Sequence, residues 1–403
     1  MMRSCWCGNT TLVPFSPEYG KCQACNTLVY LRDTNLEKYL VLDDEKDYYG
    51  KKYWLEHQHE KFGYDDIYTR ARSDLSGRNL HWLKTLLKYR LPIADVLELG
   101  CAHGSFVALM HHTGYLASGI EMSPWVVSFG RDTFSVPISI GPIENLQISP
   151  GSLDVIVLFD VLEHLPDPMS TLGHCIKLLK QDGLLLVQTP QFKEEMNYEK
   201  LLGLQDDFLK MLVPDEHLFL YSEQSVRELF QRLGMNNLYF EPAIFPQYDM
   251  FFVVSRSKLN TNTANQVESF LLTTPNGRII LALLDLHQQK LNMVRELRDS
   301  EDDRRARLEQ IHTLTAQLQE TQSQLQETQS QLQETQSQLQ ETQSQLRGAF
   351  IGYADLESRF EKLRSDARIL LSRRLLIILE KTKFSSVASG LRKELWSDIE
   401  KNS

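Results

Sequence analysis

No apolar run in this sequence approaches the roughly 20 residues that span a bilayer, so a membrane-spanning helix is not expected. Basic residues are also in short supply. Lys and Arg number 43 against 53 Asp and Glu, a net charge of −10 at pH 7. Neutralising phosphates requires a basic face, so no nucleic-acid partner is expected. The stretch Met1 to Leu12 holds two cysteines and no apolar h-region, unlike a secretory signal, and a cytoplasmic location is expected. What the sequence has is apolar residues at 42%, enough for a real core over about the first 260 positions.

The most informative stretch is Val96-Leu97-Glu98-Leu99-Gly100-Cys101-Ala102-His103-Gly104-Ser105. An apolar run closing in Glu-x-Gly-x-x-x-Gly reads as strand, tight turn and helix start. Gly100 and Gly104 allow close backbone approach to a ligand, and the helix beginning near Ser105 offers free N–H groups. A second strand, Tyr115 to Glu121, ends in a carboxylate placed to accept both ribose hydroxyls. Missing, however, is the Gly-x-Gly-x-x-Gly of a dinucleotide cradle, since Ala102 stands at its second glycine position. With Glu98 before the turn, the loop suits a cationic, phosphate-free ligand such as S-adenosylmethionine, whose ammonium it can approach.

Further motifs follow in order. They are Gly141-Pro142-Ile143-Glu144, then a strand at Leu153 to Asp160, then Val161-Leu162-Glu163-His164-Leu165-Pro166-Asp167-Pro168. A helix over 169–180 and a strand over Gly183 to Pro190 complete the set. Residues 93–190 thereby resemble a class I S-adenosylmethionine-dependent methyltransferase. The resemblance implies an α/β fold with a Rossmann-like seven-stranded sheet. It also implies that Cys101, Ala102, Met122, Ile143, Glu144 and Asp160 join Glu98, Gly100, Gly104 and Glu121 around the cofactor. His164 reads as a pocket-shaping residue more than as a chemical one.

Beyond the fifth strand, residues 191–221 hold Pro214-Asp215-Glu216-His217-Leu218-Phe219. Histidine titrates near neutrality, so His217 can take a proton from an acceptor, with Glu216 orienting it. Ser222 reads as the cap of a helix over 225–233, and strands are expected near 237–241 and 249–255.

Four of the six cysteines form Cys5-x-Cys7 and Cys22-x-x-Cys25. In a reducing compartment that spacing reads as a structural Zn²⁺ site of four thiolates, with no open position for chemistry. Cys101 and Cys175 read as ordinary buried or loop thiols. A zinc module, the core described above and the Glu216-His217 pair together resemble nucleotide-sugar C-methyltransferases. In that family Glu and His of a Tyr-x-Glu-His pattern are the catalytic acid/base pair, and Pro214 stands at its tyrosine position here. A wider group of glycan and natural-product methyltransferases carries a similar Glu-His-Leu as scaffold.

Between the zinc module and the core, residues 37–92 are expected to be a helical, aromatic-rich lid. Asp47 to Trp54 resembles the segment lying over the cofactor cleft in related enzymes, and Tyr53 is its candidate contact. At the other end, Leu318-Gln319-Glu320-Thr321-Gln322-Ser323-Gln324 recurs unchanged three more times through Gln345. Leucines 318, 325, 332, 339 and 346 alternate with threonines 321, 328 and 335, giving a half-polar heptad seam. A coiled coil holding a homo-oligomer and a mobile helical spacer both suit it. The tail 347–403 carries 12 Lys/Arg against 8 Asp/Glu. Its helix over Arg368 to Lys383 suits a membrane surface, a partner, or packing within an oligomer.

The expected organisation is a zinc-ribbon-like module (1–36), helical lid (37–92), methyltransferase domain (93–258), linker helix (259–290), α-helical coiled coil (291–346) and amphipathic basic tail (347–403). The expected function is methylation, at oxygen or carbon, of a small acceptor such as a nucleotide sugar or glycan intermediate. Two other classes remain open. One is a coiled-coil scaffold with a vestigial core. The other is a methyltransferase of protein or RNA, against which stands the lack of an Asn-Pro-Pro-Tyr-type motif after the fourth strand.

Overall fold

Eleven strands assemble into two sheets in the computed structural model, which describes residues 3–32, 40–382 and 389–393. The larger sheet contains β4 (Asp95–Leu99), β5 (Leu116–Glu121), β6 (Ile138–Ile140), β7 (Leu153–Phe159), β8 (Leu179–Pro190), β10 (Asn237–Glu241) and β11 (Asp249–Ser255). Its order is β10-β11-β8-β7-β4-β5-β6. From β6 to β8 all pairings are parallel, whereas β11 and β10 close the edge antiparallel. β7 is buried along its whole length, as a strand covered by helices on both faces must be.

Helices α2 (Ile67–Ser76), α3 (Arg78–Tyr89), α4 (Ser105–Thr113), α5 (Pro124–Phe134), α6 (Pro168–Leu178), α7 (Tyr198–Leu204) and α8 (Glu223–Arg232) follow in the same unit, preceded by the short α1 (Gln58–Phe62). The order in which successive strands are added reverses about β4, with β5 and β6 on one side of it and β7 and β8 on the other. That switch point opens a crevice at the carboxyl ends of the strands, the usual ligand position in such sheets.

Two expectations need adjusting. The helix after β7 ends at Leu178, and β8 begins at Leu179 rather than Gly183. The early residues of β8 bulge out of register, Leu153 pairing with Leu179 but Val155 with Leu184, and Lys180 Nζ in the bulge reaches Asp154 at 2.6 Å and Asp95 at 3.1 Å. In the expected lid, helix starts at 51 and passes through a π-helical turn at Tyr53–His57 into α1. Residues 40–50 are turns and bends, and Asp44 there accepts from the Ser123 hydroxyl at 2.9 Å. Ser222 caps α8 as expected, within a capping box closed by Ser225.

The smaller sheet, β1-β2-β3-β9, joins β1 (Leu12–Pro14), β2 (Tyr19–Cys22) and β3 (Leu28–Tyr30) to β9 (Phe219–Leu220). The cysteine module therefore shares a sheet with the region that follows β8. It also shares a core: Tyr19, Leu28, Val29 and Tyr30 pack in one buried cluster with Leu218, Phe219, Tyr221 and Phe230. Positions 33–36 of the expected module lie outside the described residues.

The chain divides into two units, 1–296 and 297–403. The first ends with α9 (Ala264–Leu271) and the start of α10 (Pro275–Glu380). In the second, the expected repeats are helical, and leucines 318, 325, 332, 339 and 346 are 57–60% exposed. Hydroxyls of Thr321, Thr328 and Thr335 bond the carbonyls four residues back at 2.8–2.9 Å, so the seam threonines satisfy their polar atoms within their own helix. The tail is helical to Glu380, and its positions 383–388 and 394–403 lie outside the described residues. No helix among the described residues is long and apolar enough to cross a membrane.

Candidate active site

The loop after β4 turns through three left-handed residues, Gly100 (φ 72°), Ala102 (φ 48°) and Gly104 (φ 75°). Gly100 and Cys101 N–H both donate to Ile120 O at 2.9 Å, which folds the loop over the end of β5. A Cβ on Gly100 would stand 2.6 Å from Val161 Cγ2, and one on Gly104 2.7 Å from Ile138 Cδ1. It is the left-handed φ that favours glycine at both positions, and a Cβ would in addition push these side-chain methyls aside. Gly104 does not line the cavity, so its part in the expected cofactor set is to shape the turn. Ala102 has no such freedom, and its conformation is held by its N–H donating to Glu121 Oε2 at 3.1 Å.

This loop borders a cavity of about 410 Å³, well within the range of small-molecule sites. Glu98, Gly100, Cys101, Ala102, Glu121, Met122, Ile143, Glu144 and Asp160 all line it. Glu121 also accepts from Met122 N–H at 2.7 Å and Ser123 N–H at 3.2 Å. Burial pushes its carboxyl upward, and those backbone donors oppose the shift. Glu98 is fully buried too. Its carboxyl is pushed well above the usual range by burial and then by the Glu121 charge, and its Oε2 has no hydrogen-bond partner.

An unpartnered buried carboxylate calls for a cationic ligand group, and a backbone-fixed one beside it suits a diol. The donor set therefore fits S-adenosylmethionine, with its ammonium toward Glu98 and its ribose toward Glu121. Ile143 and Glu144 come from the turn after β6, where Glu144 Oε1 accepts the Thr171 hydroxyl at 2.7 Å.

Two imidazoles meet in the same cavity. His164 and His217 both line it, with ring centroids 4.9 Å apart. His217 Nδ1 is 2.7 Å from Met211 O, and His164 Nδ1 is 2.9 Å from Glu216 O. Nδ1 thus carries the proton in each neutral ring, and Nε2 is the nitrogen left for a ligand. His217 is lowered to about 3, first by burial and then by His164, so it is neutral at physiological pH. Glu216 does not line the cavity. Its carboxylate takes the Tyr48 hydroxyl and the Lys61 ammonium, and it is its main-chain oxygen that orients a histidine, His164 rather than His217.

Several lining residues were absent from the sequence reading. Glu163, whose Oε2 accepts the Thr189 hydroxyl at 2.9 Å, is not one of them, because the Glu-His motif marks it as pocket-shaping together with His164. Asp249, raised to about 8 by burial and then by the Asp160 charge, starts a strand and carries no local signal. Arg70, Asp74 and Arg78 come from helices whose functional face only the tertiary fold defines. Tyr49, Tyr53 and Trp54 line the cavity from the segment expected to cover it.

Away from the cavity, the four N-terminal cysteines converge. Cys5 and Cys25 Sγ are 3.4 Å apart, Cys7 and Cys22 Sγ 3.6 Å, and all four lie within 4.8 Å of one another. Zn–S bonds of about 2.3 Å in a tetrahedron set S···S near 3.8 Å, so the four thiols fit such an ion. Cys25 is lowered to about 6, chiefly by its hydrogen bond with Cys5, so a thiolate is favoured there. Cys101 and Cys175 are buried thiols, as expected.

Comparison with known proteins agrees with this geometry. Residues 71–239 match the model of a methyltransferase domain family. Ubiquinone biosynthesis O-methyltransferase of Xanthomonas campestris pv. campestris (strain B100) is 32% identical over 105 residues, 25% of this chain and 44% of that protein. A probable S-adenosylmethionine-dependent methyltransferase of Mycolicibacterium smegmatis is 32% identical over 105 residues, 26% of this chain and 41% of that protein. The chain thus spans less than half the length of these two curated relatives. Among solved structures, magnesium protoporphyrin IX methyltransferase (ChlM) from Synechocystis PCC 6803 with bound SAH is 16% identical. That match covers 51% of this chain and 97% of that one at a TM-score of 0.37. With the loop, the two carboxylates and the seven-stranded sheet in place, residues 71–239 are a methyltransferase domain of the class I, S-adenosylmethionine-dependent kind.

Proposed function

We propose that the chain is an S-adenosylmethionine-dependent methyltransferase acting on a small hydroxylated acceptor, of which a nucleotide sugar or glycan intermediate is the class favoured. The observation that carries this is a single cavity lined by two differently equipped groups of residues. One group is Glu98 with an unpartnered oxygen and Glu121 fixed by three backbone N–H groups, and the other is two neutral imidazoles. The cofactor, when bound, supplies an electrophilic methyl group on its sulfonium. The chain's own part is to align the acceptor with that methyl inside a site covered by Tyr49, Tyr53 and Trp54.

His217 Nε2 accepts a hydrogen bond from the acceptor hydroxyl and fixes which lone pair faces the methyl. Its low proton affinity makes it a weak base before the reaction. The hydroxyl grows more acidic as its oxygen is alkylated, so the proton moves late. Transfer to oxygen is favoured over carbon because one of the curated relatives is named a ubiquinone biosynthesis O-methyltransferase. Four thiolates holding a structural Zn²⁺ and a homo-oligomer formed along the heptad seam belong to the same proposal.

A second reading is favoured by one observation. Ligand atoms of Glu163, His164 and His217 lie within 4.8 Å of one another, close enough for a divalent cation to draw them together and ionise the acceptor oxygen directly. Manganese binding by the zinc-loaded chain that is lost in His164→Gln separates this from the metal-free reading.

The test of the main proposal is transfer of labelled methyl from S-adenosylmethionine into an extract of the source cells, fractionated by acceptor size. Label among nucleotide sugars and other small molecules is expected. Label confined to protein or RNA overturns the acceptor class, and no S-adenosylmethionine binding at all returns the chain to the scaffold reading.

A further inference from the structure

The segment that carries His217 into the cavity has little sheet of its own. Strand β9 is two residues long, and among the described residues β3 of the cysteine module is its sheet neighbour. Leu28 pairs with Leu220 and Val29 with Phe219, and Tyr30 N–H donates to Leu218 O at 3.0 Å. A strand this short does not hold its position alone. Next along the chain, the carbonyl of His217 itself accepts the Tyr19 hydroxyl at 2.9 Å, and Tyr19 is completely buried. From the methyltransferase side, Leu218 N–H is held by Glu163 O at 2.8 Å.

Tyr19 opens β2, which ends at Cys22, and β3 starts three residues after Cys25. The backbone that holds His217 is therefore folded around the four thiols. The cofactor part of the cavity is built differently. Glu98 ends on β4, Glu121 on β5, and none of residues 3–32 lines the cavity.

We propose that the cysteine module is a metal-dependent brace for the acceptor side of the cavity, acting through β3 and through Tyr19 as a positioning residue for His217. With metal on Cys5, Cys7, Cys22 and Cys25 the acceptor side is assembled. Without it the cofactor side stands alone, so zinc supply governs acceptor use and leaves cofactor affinity in place. The inference rests on the reading above that His217 serves the acceptor.

The experiment uses the full chain with ¹³C-labelled histidine side chains, zinc as the metal probe and S-adenosylmethionine as the cofactor probe. His217→Gln and His164→Gln identify the two cavity signals, and His312, in the second unit, serves as the control. Stripping zinc with a chelator is expected to move or broaden the His217 signal and leave His312 alone. The S-adenosylmethionine dissociation constant should stay within about twofold, as for sites without shared partners. Added zinc should restore the signal.

Tyr19→Phe spares all four thiols and guards against a chelated protein that simply unfolds. With its zinc content unchanged it should shift the His217 signal the same way by a smaller amount. An unmoved His217 signal on zinc removal overturns the proposal, as does a Tyr19→Phe spectrum identical to wild type, or purified protein without zinc. Cofactor affinity falling tenfold or more together with the signal also overturns it, because the metal then supports the whole fold. Zinc-loaded protein that binds no S-adenosylmethionine instead brings down the methyltransferase reading itself.

Discussion

Leu185 and Leu325 are the same side chain in opposite circumstances. Leu185 sits in the middle of β8, completely buried, with Ile156 beside it on β7 and Val254 on β11. Leu325 lies on the helix of the second unit, 57% exposed. In the first unit each apolar residue has a different set of neighbours, so stability is intramolecular and specific to that one chain. In the second unit one heptad repeats, and each leucine meets what its neighbours seven residues away also lack: a surface to bury against. A repeated helix of this kind draws most of its stability from whatever covers the seam.

The most direct way to break that comparison is to make the same substitution in both places. Leu185→Ala should destabilise the first unit by about 2–5 kcal/mol, since it removes buried methyl groups and leaves a cavity. Leu325→Ala should shift the unfolding of the first unit by less than about 0.5 kcal/mol. Thermal or denaturant unfolding followed by tryptophan fluorescence reports on the first unit when Trp396 of the second is replaced by phenylalanine, because the other four tryptophans, Trp6, Trp54, Trp82 and Trp125, all lie in the first. Comparable losses from both substitutions would show that the seam contributes to folding of the first unit.

A second prediction concerns how the first unit spends its specificity. Glu121→Ala removes the carboxylate offered to a ribose diol and also the acceptor that holds Ala102. S-adenosylmethionine binding should weaken by about 1.5–3 kcal/mol for each charged hydrogen bond lost. Calorimetric titration of the folded variant measures it, and undiminished affinity removes Glu121 from the cofactor site. Gly104→Ala should cost less, about 1–2 kcal/mol of stability, because an alanine is strained at φ 75° while the Ile138 methyl it meets can move aside. As Gly104 lies outside the cavity lining, its S-adenosylmethionine affinity should stay near that of wild type.

Much of the cofactor site was legible in the sequence because its parts are local. Strand, glycine turn and helix start are consecutive, and Glu121 closes the very next strand. Apolar runs fully covered on both faces, such as Leu153 to Phe159, announce a parallel sheet. The acceptor site was only half legible. His217 and its neighbour Glu216 were singled out together, yet a turn over 214–216, with Glu216 and His217 N–H both donating to Val213 O, sends the two side chains to different partners. Glu216 accordingly turns to Tyr48 and Lys61, and His164, 53 residues earlier, becomes the neighbour of His217. Asp249 and Arg78 needed the complete sheet order to be placed. Docking of the cysteine module was not legible either, because β9 is too short to carry a pattern. The pairing is set by buried contacts between segments about 190 residues apart.

The smallest expected effect on the first unit, and the sharpest statement about the second, comes from Leu332→Asn. Asparagine keeps the helix soluble and adds a polar group at one seam position. The threonine hydroxyls already bond their own helix, so the leucines and the threonine methyls are the apolar surface a second copy would cover. If the repeats join two or more copies, wild-type chain should sediment as an oligomer that dissociates on dilution. Leu332→Asn should then shift that dissociation to higher protein concentration, because a buried polar residue at a seam position lowers coiled-coil stability. The fluorescence-detected unfolding of the first unit and its cofactor affinity should not change. A wild-type chain that sediments as a monomer at every concentration leaves the repeats as a helical spacer. It would also mean that the contrast between the two leucines is permanent, with Leu325 as exposed in solution as it is in the single chain.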